Sequence, residues 1–249
     1  MLSSVGWAAL GVGFIFLMTS LGAASVLFCR EDTLPKSQTG MMGFAGGVMT
    51  AATVWSMLLP AIEQTRSEGT LPCWLPAAAG TAAGAAFLCA LDALILRLRR
   101  GGSAEKSSML MTAITLHNIP EGMAVGLAFA LSGGTDGLTA AAALALGIGV
   151  QNVPEGAAVS LPLRRMGMSR GRAFSMGVLS GAVEPLFGML AVMAVSGISR
   201  IMPWLLGFSA GAMLYVVVCE LIPAADDRRG LFWYVAGFLL MMILDVALG

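Results

Sequence analysis

Two hexapeptides hold the densest chemistry in this chain. Residues 117–122 read His-Asn-Ile-Pro-Glu-Gly, and residues 151–156 read Gln-Asn-Val-Pro-Glu-Gly. On a helix, positions i, i+1 and i+4 share one side. His117, Asn118 and Glu121 therefore gather on one face, and Gln151, Asn152 and Glu155 gather on another. Imidazole, amide oxygen and carboxylate together make a ligand set for a divalent metal ion. Imidazole suits zinc, iron and nickel, and oxygen donors suit manganese. Each motif also holds a proline. Pro120 and Pro154 lack an N–H, so the carbonyls of Leu116 and Val150 lose their helical partners. Broken helices of this kind surround the binding sites of membrane transporters. Two kinked helices with satisfied polar groups would explain the prolines. They would not explain Asn and Glu recurring at the same offsets.

A third acid joins these. Glu184 stands in Ser-Gly-Ala-Val-Glu-Pro-Leu, again just before a proline. Its plainer reading is a protonated carboxyl bonded to a neighbouring helix. Metal ions compete with protons for such groups, so protons leave as metal enters. A weaker repeat links residues 43–49, Gly-Phe-Ala-Gly-Gly-Val-Met, with residues 207–213, Gly-Phe-Ser-Ala-Gly-Ala-Met, identical at four of seven positions. Leu59-Pro60-Ala61-Ile62-Glu63 follows the first, and Ile222-Pro223-Ala224-Ala225-Asp226 follows the second. The Gly46-Gly47 pair permits close, sliding packing against another helix.

The elements that must position these residues are membrane helices. The chain has 249 residues, 57% of them apolar and only 11% charged, with a mean hydropathy of +0.85. A soluble domain carries about 25% charged residues. Eight apolar runs, about 5–28, 40–62, 73–96, 108–131, 138–163, 173–197, 202–224 and 231–248, each approach the length that crosses a bilayer. Backbone groups in lipid must pair within the segment, so these are helices. The reading is an all-α integral membrane protein of one transporter domain, residues 1–249. Ala23-Ala24-Ser25 would suit leader cleavage, but no Lys or Arg precedes the first run, so it is read as a span.

Charge gives the orientation. Twelve of the fourteen Lys and Arg residues fall in the loops after spans one, three, five and seven, and only Arg66 and Arg200 fall on the other side. The positive-inside rule makes those loops cytoplasmic and both termini extracytoplasmic. The formal net charge is zero, with no basic face for phosphates, so no nucleic-acid partner is expected. The four cysteines, Cys29, Cys73, Cys89 and Cys219, are too few for a disulfide scaffold of this length. Glu121, Glu155, Glu184 and Glu220 fall well inside spans, with no Lys or Arg at that depth. Such acids are costly in lipid and need a proton or a cation. The spans carrying each repeat pair run in opposite directions. This predicts inverted symmetry, with spans 1–3 related to spans 6–8 and span 4 to span 5.

The chain resembles the ZIP (Zrt/Irt-like) family of divalent-metal transporters over its whole length. His-Asn-x-Pro-Glu-Gly in span four carries the resemblance, and Gln-Asn-x-Pro-Glu-Gly in span five resembles the GufA-like branch. The resemblance implies a two-metal centre between spans four, five and six. One site would use His117, Glu121, Gln151 and Glu155, with Met49 as a thioether contact. The other would use Asn118, Asn152 and Glu184, with Glu121 and Glu155 bridging. Glu63 matches an acidic entrance residue, and Cys219 and Glu220 match the cytoplasmic exit. It also implies alternating access, with spans 1, 4, 5 and 6 sliding past spans 2, 3, 7 and 8. Gln151 stands where many members have His, Asn152 stands where others carry an acid, and residues 97–107 hold no His.

The expected function is movement of Zn2+, or Fe2+, Mn2+ or Cd2+, toward the cytoplasm, with the metal as substrate and no cofactor. A metal-selective channel is the nearest alternative, and kinetics separates the two. An intramembrane metal-dependent hydrolase is the alternative from another class. The chain lacks His-Glu-x-x-His, and one histidine is too few for a conventional catalytic zinc site, so no enzyme and no catalytic residue is expected. The expected partners are divalent metal ions and the lipid bilayer, with a homodimer left open. The short loops lean toward a bacterial cytoplasmic membrane.

Overall fold

The computed structural model describes residues 3–28, 34–98, 103–132 and 134–248. The side chains of 34–38, 95–98, 103–114, 116, 117, 195–197, 199 and 248 lie outside the described residues. That set includes His117, Lys36, Arg97 and Lys106. Arg30, Arg99 and Arg100 lie outside altogether.

The described residues are helical or turn, with no strand. The first span is α1 (Ser4–Phe28). The second is α2 (Leu34–Ala52), a π-helical segment Thr53–Leu58, and α3 (Leu59–Glu68). The third, fourth and fifth are α4 (Leu75–Leu98), α5 (Ser103–Leu131) and α6 (Gly134–Arg165). The sixth is split into α7 (Arg170–Gly181) and α8 (Val183–Met193). The seventh is α9 (Val195–Val216), a π-helical segment Val217–Leu221, and α10 (Ile222–Ala224). The eighth is α11 (Arg228–Leu248). Seven of these passages are long and apolar enough to cross a membrane, and in α5 the described apolar stretch is Asn118–Leu131.

The sixth span crosses as one apolar passage with an interruption inside it. The helix breaks at Ala182, whose N–H turns back to the carbonyls of Val178 and Leu179. Pro185 supplies the reason. It cannot donate to the carbonyl four residues earlier, and its ring crowds that carbonyl. Restarting at Val183 puts Pro185 in the first turn of α8, where no N–H is missed.

The two π-helical segments fall at matching places. Each begins four residues after the methionine that ends a weak-repeat motif, Met49 or Met213. Each runs up to a proline, Pro60 or Pro223, and closes with an i to i−5 bond, Leu59 to Val54 and Ile222 to Val217. A proline leaves one carbonyl unpaired, and widening the turn lets a later N–H reach back.

The most extensive helix pairings are α2 with α11, α4 with α9, α1 with α6, and α5 with α8. Exchanging spans 1–3 with 6–8, and span 4 with span 5, turns this set of pairs into itself, as an inverted repeat requires. Glycine makes these seams. Wherever an added Cβ would overlap a neighbouring span's backbone, that span belongs to the same half: α1, α5, α6, α7 and α8 on one side, or α2, α3, α4, α9, α10 and α11 on the other. This corrects the sliding role assigned to Gly46-Gly47. Gly47 lies against the backbone of Tyr234 in α11, inside one half, and fixes that pair together. Outward faces carry large apolar side chains such as Leu17, Leu21, Phe232 and Ile243, as lipid contact demands.

Candidate metal centre

The two repeated motifs end in glycine, and the structure shows what that glycine is for. A Cβ at Gly122 would overlap the backbone carbonyl of Glu184 in α8. A Cβ at Gly156 would overlap the backbone carbonyl of Thr19 in α1. Each motif therefore brings a partner helix within backbone contact, one residue after its own glutamate. Those two partner positions meet. Thr19 Oγ1 donates to Glu184 Oε1 at 2.8 Å.

Asn118 Nδ2 donates to the same Glu184 Oε1 at 3.0 Å, and to the Ser180 carbonyl at 3.3 Å. Gln151 Nε2 donates to Glu121 Oε1, which ties the faces of α5 and α6 together. Asn152 Nδ2 donates to the Ile15 carbonyl at 3.4 Å, and the residue also lies against Glu184. Asn118, Gln151, Asn152, Glu155 and Glu184 are 0% exposed, and Glu121 is 1% exposed. The first motif thus meets the second and Glu184 in one buried polar centre.

All three amides give their N–H groups to protein acceptors. Their oxygens, Asn118 Oδ1, Gln151 Oε1 and Asn152 Oδ1, are buried with no hydrogen-bond partner among the described residues, and so is Glu184 Oε2. A buried acceptor left unmet costs about 1–3 kcal/mol. Four acceptors orphaned in one polar centre call for a positive charge or a donor. No Lys or Arg is buried among the described residues. Among those residues no three of His, Cys, Asp or Glu form a metal-holding group by themselves. A metal here would depend on amide oxygens beside the carboxylates. His117 occupies a helical position one turn before Glu121, with its side chain outside the described residues.

The other sequence-assigned residues lie on spans two and seven. Met49 is fully buried in a core that includes Ala157 and Ala158, just past Glu155 on α6. Its repeat partner Met213 accepts at Sδ from Thr53 Oγ1, 3.0 Å away. Glu63 is exposed on α3 at the end of span two. Cys219 and Glu220 lie in the seventh span's π-helical segment, Cys219 exposed and Glu220 half-buried. The sequence reading missed Thr19 and the Ser180 and Ile15 carbonyls. A threonine in an apolar helix has no spacing signal, and a backbone carbonyl has none at all.

The sequence model of the ZIP zinc transporter family matches residues 99–245. Similar curated proteins span nearly the whole chain. The zinc transporter GufA of Myxococcus xanthus is 38% identical, over 93% of this chain and 94% of that protein. The zinc transporter ZIPB of Bordetella bronchiseptica is 37% identical, over 98% of this chain and 82% of its own length. The human zinc transporter ZIP11 is 34% identical, over 99% of this chain and 98% of that protein. A match of this extent, on a chain of apolar helices built around the paired proline motifs, makes this protein an integral membrane member of the ZIP zinc transporter family, in its GufA-like branch.

Proposed function

We propose that this chain carries Zn2+, and with it Fe2+, Mn2+ or Cd2+, across the membrane toward the cytoplasm through the buried polar centre. One observation carries the reading. Three amide oxygens and one glutamate oxygen are buried there without a donor among the described residues, and the relatives of this family are named zinc transporters. The ligands are His117, Glu121, Gln151 and Glu155 at one position, with Met49 beside them. Asn118, Asn152 and Glu184 form the second, with Glu121 and Glu155 bridging. Oxygen and imidazole donors without a thiolate cage bind firmly enough to strip water and loosely enough to release. Glu63 receives the ion outside, and Cys219 and Glu220 line its exit.

Movement is alternating access between the two glycine-seamed halves. Their internal contacts run backbone to backbone, which supports each half moving as a body. The protein sits in a bacterial cytoplasmic membrane with both termini outside.

The test is metal uptake into proteoliposomes, with Glu121→Ala and His117→Ala beside the wild type. Saturable zinc uptake is expected, with losses of about a hundredfold in both variants, at the upper end of what metal-site losses cause. No flux of any divalent ion, from folded protein that still binds metal, overturns transport. Flux that does not saturate overturns the carrier.

A further inference from the structure

A cavity of about 750 Å³ lies on the seam between the two halves. Its walls come from α1 and α6 on one side and α2 and α11 on the other. Leu21, Phe44, Val153 and Pro154 make it apolar. Arg229, in the first turn of α11, and Trp233, one turn further in, line the end of it nearest the start of α11. Trp233 stacks edge-on against Phe44 with ring centroids 6.3 Å apart. Arg229 has no hydrogen bond or ion pair to a described residue. Ser25 also lines the cavity, and its buried hydroxyl has no partner among the described residues.

We propose that this cavity is the seat of a single anionic phospholipid. One acyl chain lies along the apolar walls, and Arg229 holds the phosphate. The shape of the chemistry selects this occupant. Among the described lining residues a free metal ion finds no carboxylate, and a polar solute finds one cation and one hydroxyl. An amphiphile with a negative head matches both ends. The Arg229 end lies at the end of the bundle that carries the cation-rich loops. Basic pockets between membrane helices on that side bind anionic head groups, and an interfacial tryptophan marks head-group depth.

The deep end gives this lipid a role. Val153 and Pro154 form part of its wall, and the next residue is Glu155. A lipid chain there packs against the turn of α6 that carries Glu155, a carboxylate of the proposed metal centre. It also wedges between the two halves. Membrane composition thereby reaches both the seam and the site.

The experiment uses the full chain in bilayers of phosphatidylcholine, with or without phosphatidylglycerol. Native mass spectrometry reads the lipid retained per chain, and proteoliposomes read zinc uptake. Two variants accompany the wild type. Arg229→Gln removes the head-group charge, and Leu21→Trp narrows the cavity from an exposed position (59% exposed) that tolerates bulk. The wild type is expected to retain one phosphatidylglycerol and to transport faster when it is present. Arg229→Gln should lose about fivefold of the preference over phosphatidylcholine, as one arginine beside an anionic lipid contributes. Leu21→Trp should retain neither lipid. Equal retention by all three proteins overturns the proposal. So does a tightly held second copy of the chain in place of lipid. Lipid retention is read without transport, so it stands or falls apart from the zinc reading.

Discussion

Glu184 shares its Oε1 between Thr19 and Asn118, which leaves Oε2 as the oxygen without a donor among the described residues. A carboxylate held this way presents one oxygen in a fixed direction. Under the proposed ligand set, Thr19 is a positioning residue that acts on metal through Glu184. Thr19→Val keeps the shape and deletes the donor. Zinc affinity, measured by calorimetry on the purified protein, should fall about tenfold, the lower end of what losing a ligand's hydrogen-bond partner costs. Thr19→Ser should restore it, which a purely structural loss would not allow. Proton competition adds a second expectation. Metal needs ionised carboxylates and neutral imidazole, so lowering pH from about 7 to about 5 should weaken zinc binding, with proton release on binding. A pH-independent affinity would count against these ligands. The site's members on the two motifs were legible because three polar residues recur at helical spacing. Thr19 was not, since its role exists only where two spans cross.

The closing glycines of the two motifs do work that no ligand chemistry predicts. Gly122→Ala should force α5 away from Glu184, because its Cβ would meet backbone and not a movable side chain. Zinc binding should be lost while circular dichroism still reports the helices. Gly13 lies on α1 with open space around its missing Cβ. Gly13→Ala should leave binding intact and raise the thermal midpoint slightly, by up to about 1 kcal/mol of helix propensity. Equal effects of the two changes would remove the close-approach argument. Hydropathy makes the spans legible because twenty apolar residues in a row have few other uses. It is silent about the break at Ala182 and the two π-helical segments. Those depend on which carbonyl a proline leaves unpaired and which N–H is free to reach it.

At the scale of the molecule, the inverted repeat sorts eight passages into two halves with backbone seams inside each. Leu127 and Leu206 belong to one core cluster that spans the halves. Ala85 on α4 and Ala212 on α9 sit on a glycine seam within one half. In a cysteine-free background, a short thiol cross-linker joining Cys at 127 and 206 should stop zinc uptake. Joining Cys at 85 and 212 should leave it. Arrest by both, or by neither, would reject motion between the halves. The weak repeat at residues 43–49 and 207–213 made this symmetry legible in outline. Which glycines face which helix needed the packed structure, because a glycine in a sequence points nowhere.

The hydrogen bond between Thr19 and Glu184 joins the two positions that Gly156 and Gly122 abut. The inverted repeat makes those positions counterparts. A perfectly twofold centre would place an acid at both and hold four carboxylates. This one holds three, Glu121, Glu155 and Glu184, with a neutral hydroxyl in the fourth place. Three negative charges are an odd number, and divalent ions bring even ones. One divalent ion leaves the centre a charge short of neutral, and two overshoot it. With all three carboxylates ionised, a single ion and one retained proton bring the balance to zero, and filling the second proposed position displaces that proton and leaves one positive charge.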